Sequence, residues 1–81
     1  MPFFIFLWTD VAEQHTAAHG VTRREFEEIV TRPTHTRLSR SSGYPIAFGR
    51  TSAGRYLACV YEIIDDITVL PVTAYEPEKL P

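Results

Sequence analysis

The stretch His19-Gly20-Val21-Thr22-Arg23-Arg24-Glu25-Phe26 organises the reading of this chain. Gly20 suits the left-handed position that closes a helix. Two residues later Thr22 and Glu25 stand at capping-box spacing, with Val21 and Phe26 at the two positions of a hydrophobic staple. One helix therefore ends and a second begins within a few residues. Working back, Asp10 and Glu13 have the D-x-x-E form of a helix start, so the first helix is expected from Thr9 or Asp10 to about His19. Working forward, Phe26, Ile29 and Val30 form one apolar face, and Pro33 ends the second helix.

Around this hairpin the pattern changes to strands. Residues 3–8, FFIFLW, are aromatic and branched, too short for a helix, and suit a strand buried on both faces. Further strands are expected over 36–41, 45–51, 55–63 and 67–75, separated by Ser41-Ser42-Gly43, Ser52-Ala53-Gly54 and Asp65-Asp66. Pro71 cannot donate to a ladder, so the last strand should lie at an edge or carry a bulge. The order β-α-α-β-β-β-β predicts an α+β fold: an antiparallel sheet with the helical hairpin on one face. One domain over 1–76 and a loose tail over 77–81 are expected.

The 81 residues carry a net charge of −2, and the charge is uneven. Residues 1–28 sum to −3, residues 29–61 to +5 and residues 62–81 to −4. The middle stretch contains no acid, and its charge is wholly arginine: Arg32, Arg37, Arg40, Arg50 and Arg55. The average argues against a protein that coats nucleic acid by bulk charge, whereas the partition allows one local basic surface. A single cysteine, Cys59, excludes an internal disulfide and reads as a buried, inert strand residue. No apolar run approaches the ~20 residues of a membrane helix. FFIFLW lacks the basic flank and cleavage site of a signal peptide, which makes the cytoplasm the expected compartment. No internal repeat is present.

Three groups could carry chemistry. Arg50 and Arg55 flank the Ser52-Ala53-Gly54 turn, and two guanidiniums across a hairpin end would hold an anion between them, with phosphate the natural fit. The alternative is surface pairing of these arginines with helix acids such as Glu25, Glu27 and Glu28. Tyr44, Phe48, Tyr56, Tyr61 and Tyr75 fall on or near the strands. Beside arginines such rings stack bases; elsewhere they are packing. Alternation puts Tyr61 with Leu57 and Cys59, and Tyr56 with Ala58 and Val60. His15 and His19 share a helix face at metal-ligand spacing, but nothing in the spacing ties Cys59 or His35 to them, so no metal and no cofactor is expected. Either histidine would serve as a proton carrier near neutrality. His19 would otherwise end its helix, and His15 would pack on the sheet. Triad elbows, Walker loops and dinucleotide fingerprints are missing from the sequence.

Three blocks carry a family resemblance: Trp8-Thr9-Asp10 through His19-Gly20-Val21-Thr22; Gly49-Arg50-Thr51 with Gly54-Arg55-Tyr56-Leu57; and Val72-Thr73-Ala74-Tyr75. Together, over about residues 6–76, they resemble the BrnT family of type II toxin–antitoxin toxins. The resemblance implies a RelE/ParE-like fold and metal-independent endoribonuclease cleavage of mRNA, repressed by an antitoxin protein. By position it carries catalytic roles to Arg50 and Arg55; Tyr75 and His15 are the further catalytic candidates, and Arg37, Arg40, Tyr56 and His19 the candidates for binding substrate. Tyr75 falls where the family usually has an arginine, and His15 where it commonly has asparagine. RNA and an antitoxin-like protein are the expected partners, with a homodimer left open and no membrane. The alternative is a non-catalytic relative that binds RNA or a protein through the arginine-rich sheet surface or an edge strand.

Overall fold

The computed structural model describes residues 4–77. In chain order the elements are β1 (Ile5–Phe6), α1 (Asp10–Ala18), α2 (Arg23–Thr31), β2 (His35–Leu38), β3 (Pro45–Arg50), β4 (Tyr56–Ile63) and β5 (Thr68–Tyr75). The fold is α+β, as expected. Apart from Pro77, the tail expected over 77–81 lies outside the described residues.

The helical hairpin forms through local chemistry. Thr9, not Asp10, caps α1: its side chain accepts from the Ala12 backbone N–H at 3.1 Å. Glu13 is thereby released from the expected capping role and pairs with Arg23. At the far end Val21 N–H donates to the Thr16 carbonyl and Gly20 N–H to that of Ala17. This is a Schellman closure, and it holds Gly20 at φ +72°. Thr22 then caps α2 with the full reciprocal box to Glu25. Val21 and Phe26, the staple pair, are buried in the same core.

The sheet order is β1-β5-β4-β3-β2. β2 to β5 form the expected antiparallel meander, but β1 joins β5 in parallel, so the sheet is mixed. From β2 to β5 the meander makes three reversals, so β5 runs opposite to β2, and its parallel pairing with β1 means that β1 runs opposite to β2 as well. β5 is thus interior over Thr68–Val69, and Pro71 accounts for how short that pairing is. Ile5 donates to Ile67 and Leu7 to Val69. By that parity Pro71 stands where the next N–H would meet the Leu7 carbonyl, and proline has none to offer. The expected bulge is also present: Tyr61 faces Pro71 and Val60 faces Thr73, leaving Val72 as the extra residue.

The helices cover one face of the sheet. Val21, Phe26, Ile29 and Val30 pack on Ala47, Leu57, Cys59 and Ala74, with Phe6 and Trp8 closing the side. Phe26 takes both rings edge-on, at 6.5 Å from Phe6 and 5.1 Å from Trp8. The Trp8 indole N–H donates to Glu27 at 2.8 Å, so the half-buried ring keeps its polar atom satisfied. Gly49 lets the α2–β2 link lie close against β3: a Cβ there would meet Thr34 N at 3.4 Å and Ile29 Cδ1 at 3.5 Å. The radius of gyration, 11.5 Å, is near the ~12 Å of a compact chain of this length. No helix among the described residues is long and apolar enough to cross a membrane.

Candidate functional site on the uncovered sheet face

Residues directly opposite on neighbouring strands share a face, so the register lays out the side of the sheet away from the helices. One row runs His35–Phe48–Ala58–Tyr75 across β2, β3, β4 and β5. Beside it on one side is Arg50 opposite Tyr56; on the other is Arg37 opposite Ile46, then Val60. Ile46, Phe48, Ala58 and Val60 are buried here with no helical residue in their cluster. Their cover comes from the strands' own aromatic and cationic side chains.

The cover is ordered. His35 stacks on Phe48 at 4.7 Å and 14°, and Phe48 stacks on Tyr56 at 6.4 Å and 23°. The Arg50 guanidinium lies 5.4 Å from the Tyr56 ring, and that of Arg37 lies 5.2 Å from Phe48. Such contacts hold a guanidinium in place while leaving its N–H edge able to meet an anion. Arg50 Nη1 also donates to the Gly54 carbonyl at 3.1 Å. Among the described residues, the ion pairs involve Arg23 and Arg55 but not Arg37, Arg40 or Arg50.

Two shallow clefts border this face. Arg37, Arg40, Ser39, Ser41 and Ile46 line one of about 530 Å³ at the β2–β3 turn. His19, Tyr75, Glu76 and Pro77 line the other, about 520 Å³, at the end of β5. Tyr75 belongs to both settings, since its ring also packs against the Phe48–Ala58 cluster.

The expected residues thus separate. Arg37, Arg50, Tyr56 and Tyr75 lie on the uncovered face, with Arg40 at its margin and His19 across the Tyr75 cleft. Arg55 does not pair with Arg50. Because Arg50 stands opposite Tyr56, the residue before Tyr56 points to the other side of the sheet. There Arg55 Nη1 reaches the Gly20 carbonyl at 2.8 Å and both Glu25 oxygens at 3.1 Å, and Nη2 lies 3.5 Å from Glu76. His15 directs Nδ1 to the Val72 carbonyl at 3.3 Å, where the bulge leaves that residue out of the ladder. Cys59 lies on the helix side, and burial pushes its thiol up to about 12, so it stays protonated and inert. His35 and Cys59 therefore cannot share a metal, and no group of three His, Cys, Asp or Glu side chains converges among the described residues.

His35 is the residue that sequence reasoning missed at this face. Its signal was the alternation His35, Arg37 against Phe48, Ile46, which becomes visible only once β2 starts at His35 and its register with β3 is set. No family model, curated protein or solved structure matches the chain.

Proposed function

We propose that this chain acts on RNA as a metal-independent endoribonuclease of the RelE/BrnT kind, restrained by an antitoxin-like protein. The observation that carries the reading is the grouping of Arg37 and Arg50, without a carboxylate partner among the described residues, on an aromatic face bordered by the His19–Tyr75 cleft. Cleavage without metal requires a base for the 2′-hydroxyl, an acid for the leaving 5′-oxygen and donors for the charge growing on phosphate. In this reading the 2′-oxygen attacks the adjacent phosphorus and passes its proton to the His19 imidazole. The P–O5′ bond breaks, and the departing oxygen takes the Tyr75 proton. A 2′,3′-cyclic phosphate and a 5′-hydroxyl result, and Arg50 stabilises the crowded phosphorane. Near neutrality a phenol still carries a proton to give and a neutral imidazole can take one, which suits tyrosine to the acid role and histidine to the base role.

The test is cleavage of a single-stranded RNA in EDTA. Arg50→Ala is expected to lower the rate about 100-fold or more while leaving the melting temperature of the protein unchanged. Equal rates would remove Arg50 from the chemistry and the reading with it. A second reading, RNA binding without cleavage, draws on the tie of Arg55 to Glu25 and Glu76, which withdraws one of the two arginines that the resemblance assigns to catalysis. Saturable, salt-sensitive binding with intact RNA recovered would select it.

A further inference from the structure

The ordered column on the uncovered face has an open end. Tyr56, Phe48 and His35 stack in sequence, and His35 is the terminal ring. It sits on β2, the outermost strand, so among the described residues no strand stands beyond it. Its ring is half-buried, because one side rests on Phe48. Phe48 itself is 2% exposed and has no face left to offer. An aromatic plane reaching this face from outside β2 meets His35 first.

The surroundings identify the chemistry of such an arrival. Arg37 stands two residues along the same strand face, about 7 Å away, and lines a cleft with Arg40, Ser39 and Ser41. Residues 29–61 contain no acid, so this margin combines a stacking plane with guanidiniums and hydroxyls, and its own sequence supplies no competing carboxylate. A planar base linked to a phosphodiester satisfies both parts at once. A peptide aromatic would satisfy the ring and leave Arg37 and Arg40 without an anion.

We propose that the outer face of His35 is a base-stacking subsite, so that single-stranded RNA crosses the β2 edge with one base extending the His35–Phe48–Tyr56 column and its phosphates against Arg37 and Arg40. The proposal rests on the RNA-directed reading above and adds to it a direction of entry and a requirement for unpaired bases. His35 and Tyr75 are three strands apart, roughly 14 Å, so His35 binds a nucleotide remote from any cleavage at the Tyr75 cleft and takes no part in proton transfer there.

The experiment uses the whole chain, EDTA throughout, and an eight-nucleotide RNA carrying one 2-aminopurine, whose fluorescence falls when the base stacks. Three variants are compared with the parent: His35→Leu, which keeps an apolar cover on Phe48 but has no ring; His35→Phe, which keeps the ring without an ionisable nitrogen; and Arg37→Ala. Thermal unfolding of each confirms that the fold is kept. The expected result is an affinity loss of about tenfold or more with His35→Leu, recovery of binding and quenching with His35→Phe, and a salt slope lower by about 0.7 with Arg37→Ala. Parental affinity and quenching in His35→Leu would overturn the subsite while leaving the RNA reading standing. Loss in both His35→Leu and His35→Phe would also overturn it, because the imidazole and not its plane would then matter. If the parent neither binds nor cleaves the RNA, the RNA reading fails and the subsite falls with it. A duplex of the same sequence should bind no more tightly than its salt-dependent background, and tight duplex binding would contradict the requirement for unpaired bases.

Discussion

Two arginines five positions apart do opposite work because a strand alternates. Arg50 lies over Tyr56 on the uncovered face, while Arg55 reaches through to the Gly20 carbonyl and to Glu25. Arg55 thereby fastens the β3–β4 hairpin to the junction between the two helices, and its side chain is only 30% exposed. Replacing it with alanine removes this donor from the Gly20 carbonyl and from Glu76, and leaves Glu25 with its capping-box bond from Thr22. The expected cost is about 1–2 kcal/mol of stability, read as a lower denaturant midpoint with an unchanged slope, whereas Arg50→Ala should leave the midpoint where it is. Equal midpoints for the two variants would contradict this division. The aromatic positions were legible at this scale, since period two alone separates Tyr61 from Tyr56. The placement of Arg55 was not, because the face an arginine occupies after a turn depends on the register of the next strand, and a slip of one residue reverses it.

Among the elements, those closed by neighbouring residues were the legible ones. Gly20, the Thr22–Glu25 box and Pro33 act within a few positions of themselves, and the structure uses each of them as read. β2 was harder. A strand over 36–41 was expected, but Ser39 donates to the Tyr44 carbonyl and Gly43 to that of Ser39, which closes the turn early and moves the strand to His35–Leu38. That shift brought His35 onto the site. The β4–β5 turn has its own local device: Asp65 Oδ1 accepts from Ile67 N–H at 3.0 Å and Thr68 N–H at 2.9 Å. These bonds hold the Asp65 carboxyl below its ordinary value, the Ile67 bond foremost. A lowered carboxyl stabilises the fold above its unfolded-state value, and that contribution is lost as pH falls through the folded-state value. Asp65→Asn is therefore expected to narrow the gap in melting temperature between about pH 6 and about pH 3. An unchanged gap would mean that the turn is held by other means.

At the scale of the molecule, the pairing of β1 with β5 was the least legible feature. Ile5 and Thr68 are 63 positions apart, and no local residue announces their contact. The pairing brings Phe6 and Trp8 onto Phe26, so a two-residue strand closes the helix-side core. A fully buried aromatic is worth about 3–5 kcal/mol, so losing the two half-buried rings of Phe6 and Trp8 together approaches the whole margin of stability for a chain of this size. A chain beginning at Thr9 should melt without a cooperative transition in near-UV circular dichroism, and a sigmoidal melt would show that β1 is dispensable. Charge was legible in position but not in shape: the +5 segment does become a surface with Arg37, Arg40 and Arg50, while Arg55 is spent on internal pairing.

The parallel run of β1 and β5 has a practical consequence for anyone who attaches something to this protein. Ile5 lies beside Thr68 at the start of β5, whereas Pro77 leaves from beside the His19–Tyr75 cleft. The two exits are separated by the length of an eight-residue strand, roughly 26 Å. An affinity handle, a reporter or a neighbouring segment joined ahead of Phe4 hangs from the end remote from that cleft. The same cargo joined after Pro77 starts beside the cleft that Tyr75 lines, where in the proposed RNA-directed reading it would crowd Tyr75 and mimic an inhibitor.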